Sequence, residues 1–256
     1  MTNFRRVFAV AAVVIAGLAT QVVPASAVVG GEQAASGQFP STVEITYQTL
    51  AGKKHGCGGV LRDSNTVVTT AGCVDGHTAN ELFVHLGGTD RTKLDQQLGV
   101  SVVLKHPQYD PATGRSNIAL LKLATRAVLS DTVKSAPFVA PEFDDPAPGT
   151  RVQFAGWGKT HAEDTNLPTQ LQYADVPVIG RAACNTAYGA GSITNGMFCT
   201  KAQLPKFACD GDAGSPVFVD GAVVGFVTAK NRCTHPGKPD VFVRLGAFRD
   251  WASQSI

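Results

Sequence analysis

With 256 residues, 44% of them hydrophobic and 16% charged, the chain is a globular protein long enough to bury one large or two small cores. Lys and Arg number 22 against 20 Asp and Glu. Arg5 and Arg6 lie in a leader expected to be removed, which leaves 20 of each sign and no basic run, so nothing electrostatic points to nucleic acid or an anionic membrane as partner.

The leader is predicted over residues 1–27: Arg5 and Arg6 give a positive start, Val7 to Ala19 a short apolar run, and Ala25-Ser26-Ala27 a small-residue cleavage site, the pattern of a secretory signal. A membrane helix is the alternative reading, but the run falls short of the ~20 apolar residues a span needs. The mature protein is expected to begin at Val28 and to be secreted to the extracellular space, and no later stretch is apolar enough to span a bilayer.

In chain order, Val28-Val29-Gly30-Gly31 opens the mature segment, either as a first strand or as a functional N-terminus. Ser41 to Thr46 alternates apolar and polar residues, and His55 to Leu61, Leu82 to Leu86 and Val100 to Leu104 continue the strand pattern. Asp144 to Gly149, with Pro146 and Pro148, reads as a linker. Arg151 to Gly158, Leu171 to Ile179 and a short helix at Arg181 to Cys184 follow. Val217 to Val224 is predicted as a hairpin, because Asp220-Gly221 supplies the positive φ of a two-residue turn. Phe248 to Ser255 is the expected closing helix. No internal repeat or low-complexity segment stands out.

Six cysteines, Cys57, Cys73, Cys184, Cys199, Cys209 and Cys233, imply three disulfides in an exported chain, but six cysteines allow fifteen connectivities. Metal ligation is the rival reading, and no close Cys/His spacing of zinc type supports it. No metal or cofactor is expected.

Several segments in order carry a family resemblance. Cys209-Asp210-Gly211-Asp212-Ala213-Gly214-Ser215-Pro216 resembles the Gly-Asp-Ser-Gly-Gly-Pro loop of trypsin- and chymotrypsin-like serine proteases. Thr69-Thr70-Ala71-Gly72-Cys73 resembles their Thr-Ala-Ala-His-Cys, and Asn117-Ile118-Ala119-Leu120-Leu121-Lys122-Leu123 their Asp-Ile-Ala-Leu-Leu-Lys-Leu. His106-Pro107-Gln108-Tyr109 and Ala155-Gly156-Trp157-Gly158 are further matches, and Ile193 to Cys199 looks most like bacterial and fungal trypsins. The resemblance covers essentially the whole mature chain. It implies an all-β fold of two six-stranded antiparallel Greek-key barrels with a C-terminal helix: signal peptide 1–27, first barrel 28–143, second barrel and closing helix 144–256. It also implies disulfides Cys57–Cys73, Cys184–Cys199 and Cys209–Cys233, and an ion pair between the Val28 α-ammonium and Asp212.

At the positions of the triad that resemblance implies Gly72 for His, Asn117 for Asp and Ala213 for Ser. A methyl group cannot form an acyl-enzyme, and Asp→Asn in a working triad costs about 10⁴ in rate. Gly211 and Ala213 still offer the oxyanion-hole amides. Phe207 falls where trypsins carry the pocket-floor Asp, and Lys230 where they carry a pocket-wall Gly, so a basic substrate side chain is expected to be obstructed. His55, His77, His85, His106, His161 and His235 carry no replacement motif, and Ser215 lies two residues from the attack position.

The leading expectation is therefore a non-enzyme: a secreted, monomeric pseudoprotease, catalytically silent, that binds a secreted protein as inhibitor or effector. Glucanase inhibitor proteins of oomycetes, protease homologues acting as cofactors, and decoys for protease inhibitors are its precedents. The alternatives are a serine-endopeptidase-like hydrolase with residual or altered activity, and a deliberately inactivated variant.

Overall fold

A computed structural model describes residues 30–138, 145–201, 206–228, 233 and 238–254. The leader and Val28 lie outside them.

The first barrel is made of β2 (Thr42–Thr49), β3 (Gly52–Asp63), β4 (Thr66–Thr69), β5 (Leu82–Leu86), β6 (Gln96–Lys105) and β7 (Ala119–Leu123), closed in the order β2-β3-β4-β7-β6-β5. Period-two alternation does the local work: Leu82, Val84 and Leu86 of β5 all point into the barrel, as residues i, i+2 and i+4 of a strand must. They meet Val43, Ile45, Leu61, Val67, Leu121 and Leu123 in one core.

The second barrel uses β8 (Arg151–Gly156), β9 (Gln172–Ile179), β10 (Met197–Thr200), β11 (Pro216–Val219), β12 (Ala222–Val227) and β13 (Asp240–Arg244). Its ring runs β8-β9-β10-β13-β12-β11 and closes back on β8. Two six-stranded antiparallel barrels are thus present, as expected. The β11–β12 turn has φ 48° at Asp220 and 79° at Gly221, two positive values in succession, as a type I′ hairpin needs.

Each end of the described chain crosses to the other barrel. A two-residue strand, β1 (Glu32–Gln33), pairs with β9 of the second barrel. At the other end a 3₁₀ turn, Leu245–Phe248, leads into helix α2 (Arg249–Ala252). Arg62 of the first barrel donates to the carbonyls of Ala252 (2.6 Å) and Gln254 (2.8 Å), and His106 packs on Phe248 and Trp251. The closing helix is shorter than the expected Phe248–Ser255: the 3₁₀ turn takes Phe248 and the α-helix ends at Ala252. Conversely, helix α1 runs over Arg181–Tyr188, a full turn beyond the expected Cys184, and ends on Gly189 at φ 96°.

Between the barrels lies a third apolar cluster, built from Val60, Val68, Ile118 and Leu120 on one side and Trp157, Phe218 and Phe226 on the other. Trp157 donates its indole N–H to the Thr89 carbonyl at 2.9 Å, and the backbone of Leu171 bonds the same carbonyl. The segment 89–91 thereby fastens the first barrel to the second.

Candidate active site

The cleft lies where the loops of both barrels meet. It has a volume of about 1000 Å³ and is walled by Tyr47, Gly72, Tyr109 and Asn117 from the first barrel and by Ala208, Cys209, Gly211, Ala213 and Asp240 from the second.

Gly72 sits in a single 3₁₀ turn, Ala71–Cys73, directly after β4. Asn117 precedes β7, after Ser116 at φ 49°. The Gly72 N–H donates to Asn117 Oδ1 at 2.8 Å, so the two positions are joined. A Cβ on Gly72 would come within 3.2 Å of the Tyr109 hydroxyl. Burial and the charges of Asp75 and Asp110 push that phenol above its ordinary value, so it is a protonated O–H across the neutral range.

Ala213 completes the group. Its carbonyl accepts from the Gly58 N–H at 2.8 Å, which ties the loop 209–215 to the first barrel. Gly214, at φ 78°, lies so close to Gly58 and Thr69 that a Cβ would meet the Gly58 carbonyl at 2.4 Å; only glycine fits there. Gly211 has φ 97°. Among the described residues, no acceptor engages the N–H of Gly211 or of Ala213, and both residues border the cleft.

Behind the loop, Asp212 is fully buried. Its Oδ1 accepts from Gly158 N and its Oδ2 from Cys209 N, each at 2.9 Å. Burial pushes its pKa up to about 7 against the pull of these two bonds. Gly156 and Gly158 make room for it, since a Cβ on either would lie 2.3 Å from the carboxyl group. The expected partner, Val28, lies outside the described residues.

Ser215 is also buried, and its hydroxyl points between Gly58 and Gly156 rather than into the cleft. It is therefore not a displaced nucleophile. No histidine borders the cleft among the described residues: His77 stacks on Tyr47, His85 bonds Thr46, and His161 pairs with Asp164. His55 is tied to Glu44 within the first barrel, while His235 lies outside the described residues. The cysteines are joined as Cys57–Cys73, Cys184–Cys199 and Cys209–Cys233. Among the described residues no three His, Cys, Asp or Glu side chains are grouped to hold a metal.

The expected obstruction of the pocket takes a different form. Phe207 does not border the cleft; it packs on the Cys209–Cys233 disulfide. Lys230 lies outside the described residues. A residue that sequence reasoning passed over stands at the cleft instead. Asp240 is 4% exposed, accepts from Ala208 N at 3.0 Å and borders the cleft. Its sequence signal is a carboxylate opening the apolar run Val241-Phe242-Val243, which does not by itself tell a buried charge from an exposed one.

A family model described as "Trypsin" matches residues 28–252. The chain belongs to the trypsin family of serine proteases. It is 32% identical over 228 residues to Trypsin Blo t 3 of Blomia tropicalis, covering 88% of this chain and 84% of that one. It is 31% identical over 262 residues to a trypsin of Phaedon cochleariae, covering 99% and 98%. With Serine protease 1 of Homo sapiens it shares 33% over 218 residues, covering 83% and 85%.

Membership of the trypsin family overturns the expectation of a non-enzyme. The family and the names of these relatives point to a protease, and none of the three is named as a pseudoprotease, inhibitor or effector. None of the three comes from a bacterium or a fungus, so a special likeness to those trypsins finds no support. The three disulfides fit a trypsin fold. No helix among the described residues is long and apolar enough to cross a membrane.

Proposed function

We propose that the protein is a secreted, serine-endopeptidase-like hydrolase of altered chemistry, which takes an extended polypeptide into the cleft and a cationic side chain toward Asp240. The observation that carries this reading is the pair of disengaged N–H groups, on Gly211 and Ala213, facing a cleft between two rigid barrels. Donors held in place at a carbonyl oxygen stabilise the negative charge that builds there during attack, and they do so without reorganising.

The attacking group in this reading is water, because Ala213 has no oxygen. Hydrolysis then adds the water oxygen to the carbonyl carbon, breaks the C–N bond and delivers the proton to the leaving nitrogen, with no covalent intermediate at position 213. Oxyanion stabilisation together with binding retains about 10³–10⁴ over the uncatalysed rate when the triad side chains are absent, and this sets the scale of activity. Asp240 supports cation recognition, since a charge-assisted hydrogen bond in a buried setting contributes about 1.5–3 kcal/mol. The proposal extends to maturation: cleavage after Ala27 frees the Val28 ammonium to pair with Asp212, with a division between the two halves at 144–149.

The test is hydrolysis of a peptide library by the chain beginning at Val28, followed by mass spectrometry. Cleavage after Arg or Lys is expected, and Asp240→Asn is expected to lower the preference for Arg over Ala about 10-fold or more. Complete absence of cleavage above the protein-free rate overturns the proposal.

A further inference from the structure

The first barrel contains a buried charged cluster that the reaction just described does not use. Glu44 of β2 is 2% exposed, in a strand whose neighbouring residues are also buried. Its Oε1 lies 2.8 Å from Nδ1 of His55 and 2.9 Å from Nε of Arg91. Burial alone would raise the Glu44 carboxyl, but the hydrogen bonds and charges of His55 and Arg91 outweigh it and hold the group below its ordinary value. Glu44 is therefore an anion, and an anion can only accept.

The other ring nitrogen of His55 decides the matter. Nε2 lies 3.0 Å from the backbone carbonyl of Gly211, and a carbonyl oxygen also can only accept. A neutral imidazole has one N–H and could satisfy one of these acceptors while turning a lone pair toward the other. In a site where the His55 side chain is 4% exposed, that arrangement sets two lone pairs against each other with no water between. Both nitrogens must donate, so the ring is the imidazolium.

The surrounding groups are consistent with that charge. Glu44 faces the ring from β2 and Arg91 reaches the same carboxylate from the segment after β5. His85 lies opposite Glu44 in the β2–β5 register, and burial lowers its pKa first, with the charges of Lys53 and Arg91 adding to the effect against the pull of Glu44, so it adds no second cation. From the second barrel the loop presents the Gly211 carbonyl, with the Asp212 carboxyl on the next residue.

We infer that His55 is a buried imidazolium, held by the Arg91–Glu44 pair, that clamps the Gly211 carbonyl and so positions the loop 211–213. The clamp turns this carbonyl inward, away from the cleft, and helps keep Gly211 at φ 97°, the conformation in which its own N–H stays disengaged at the cleft wall. His55, Glu44 and Arg91 touch no substrate; they are positioning residues, and their bearing on rate rests on the hydrolytic reading above.

The experiment uses the chain beginning at Val28, labelled with ¹⁵N at histidine and, separately, throughout the backbone. At pH 7 both ring nitrogens of His55 are expected to show protonated chemical shifts, each with a bonded proton. In Glu44→Gln the same ring is expected to carry a single proton, and amide exchange at Asp212, Gly214 and Ser215, whose N–H groups are bonded in the folded loop, to quicken about 10-fold or more. Lys105→Gln, which removes an exposed pair with Asp75, should leave all of this unchanged. A wild-type His55 with one ring proton at pH 7 overturns the inference, and this reading does not depend on any variant folding. Unchanged exchange at Asp212, Gly214 and Ser215 in a folded Glu44→Gln overturns the positioning role. For peptide hydrolysis, Glu44→Gln is expected to lower kcat with KM unchanged. If the wild type hydrolyses nothing, the functional reading fails while the ring and exchange measurements still decide the clamp.

Discussion

Removal of the leader should change how stability depends on pH, and Asp212 sets the size of the change. Its carboxyl is fully buried, its hydrogen-bond partners among the described residues are two backbone N–H groups, and burial against the pull of those bonds raises its pKa to about 7. A raised carboxyl is stabilising below its unfolded value of 3.8 and loses that contribution as pH rises through about 7. At about 1.4 kcal/mol for each unit between the two values, the loss comes to about 4 kcal/mol once the group is ionised. In the chain beginning at Val28, the proposed pairing of its ammonium with Asp212 would keep the carboxylate ionised, so the same rise in pH would remove nothing until the amine itself loses its proton near pH 8. For a domain of this size, 1 kcal/mol moves Tm by about 2–4 °C. The two forms should therefore melt together near pH 4 and separate by about 8–16 °C at pH 7. Calorimetry on both forms from pH 4 to 8 is the assay. Asp212→Asn should flatten the uncleaved curve and destabilise the cleaved form by about 3–5 kcal/mol, the cost of stranding one member of a buried pair. Parallel curves for the two forms refute the pairing and the burial argument together.

Three further outcomes are expected. The triple variant Gly72→His, Asn117→Asp, Ala213→Ser should hydrolyse an arginyl chromogenic substrate at least 10²-fold faster than the wild type, because Phe207 stands clear of the cleft and Asp240 borders it; a steady-state assay with and without Asp240→Asn checks both statements. Replacing Cys184 and Cys199 by Ser, which opens a loop with a sequence separation of 15, should cost about 3 kcal/mol in urea unfolding. Trp157→Phe should cost about 0.5–1.5 kcal/mol, because the Thr89 carbonyl loses its indole donor at the seam between the barrels but keeps the Leu171 N–H, and a two-state denaturation curve measures it.

Strands and turns were legible in the sequence because their causes are local. Alternation at Leu82, Val84 and Leu86 and the Asp220-Gly221 pair each fix their own few residues, whatever the rest of the chain does. The side-chain directions at the site were not legible. Counting back six residues from Ala213 reaches Phe207 along the chain but says nothing of which way the ring turns, and in the fold it turns onto the Cys209–Cys233 disulfide. Glu44 was invisible for a related reason. Its partners, His55 and Arg91, lie 11 and 47 residues away, and an isolated Glu between Val43 and Ile45 reads simply as the polar face of an alternating strand. Asp240 was the converse case, a charge beside an apolar run whose burial is a consequence of the second barrel's closure.

The exchange of chain ends between the barrels also governs how the molecule can be made. Strand β1 waits for β9, some 140 positions later, and Arg62 waits for carbonyls about 190 residues downstream. At about 5–20 residues per second of synthesis, the 256-residue chain takes roughly 13–50 s to emerge, and for most of that time the first barrel has neither its docked helix nor the second wall of the cluster around Val60 and Ile118. The nascent half-molecule thus exposes apolar surface that Trp157, Phe218 and Phe226 of the second barrel and then Phe248 and Ala252 at the chain's end come to cover. Truncation near the C-terminus is then a lesion of assembly in the N-terminal half, and shortening the chain by its final six residues should slow refolding of the first barrel more than it weakens the second.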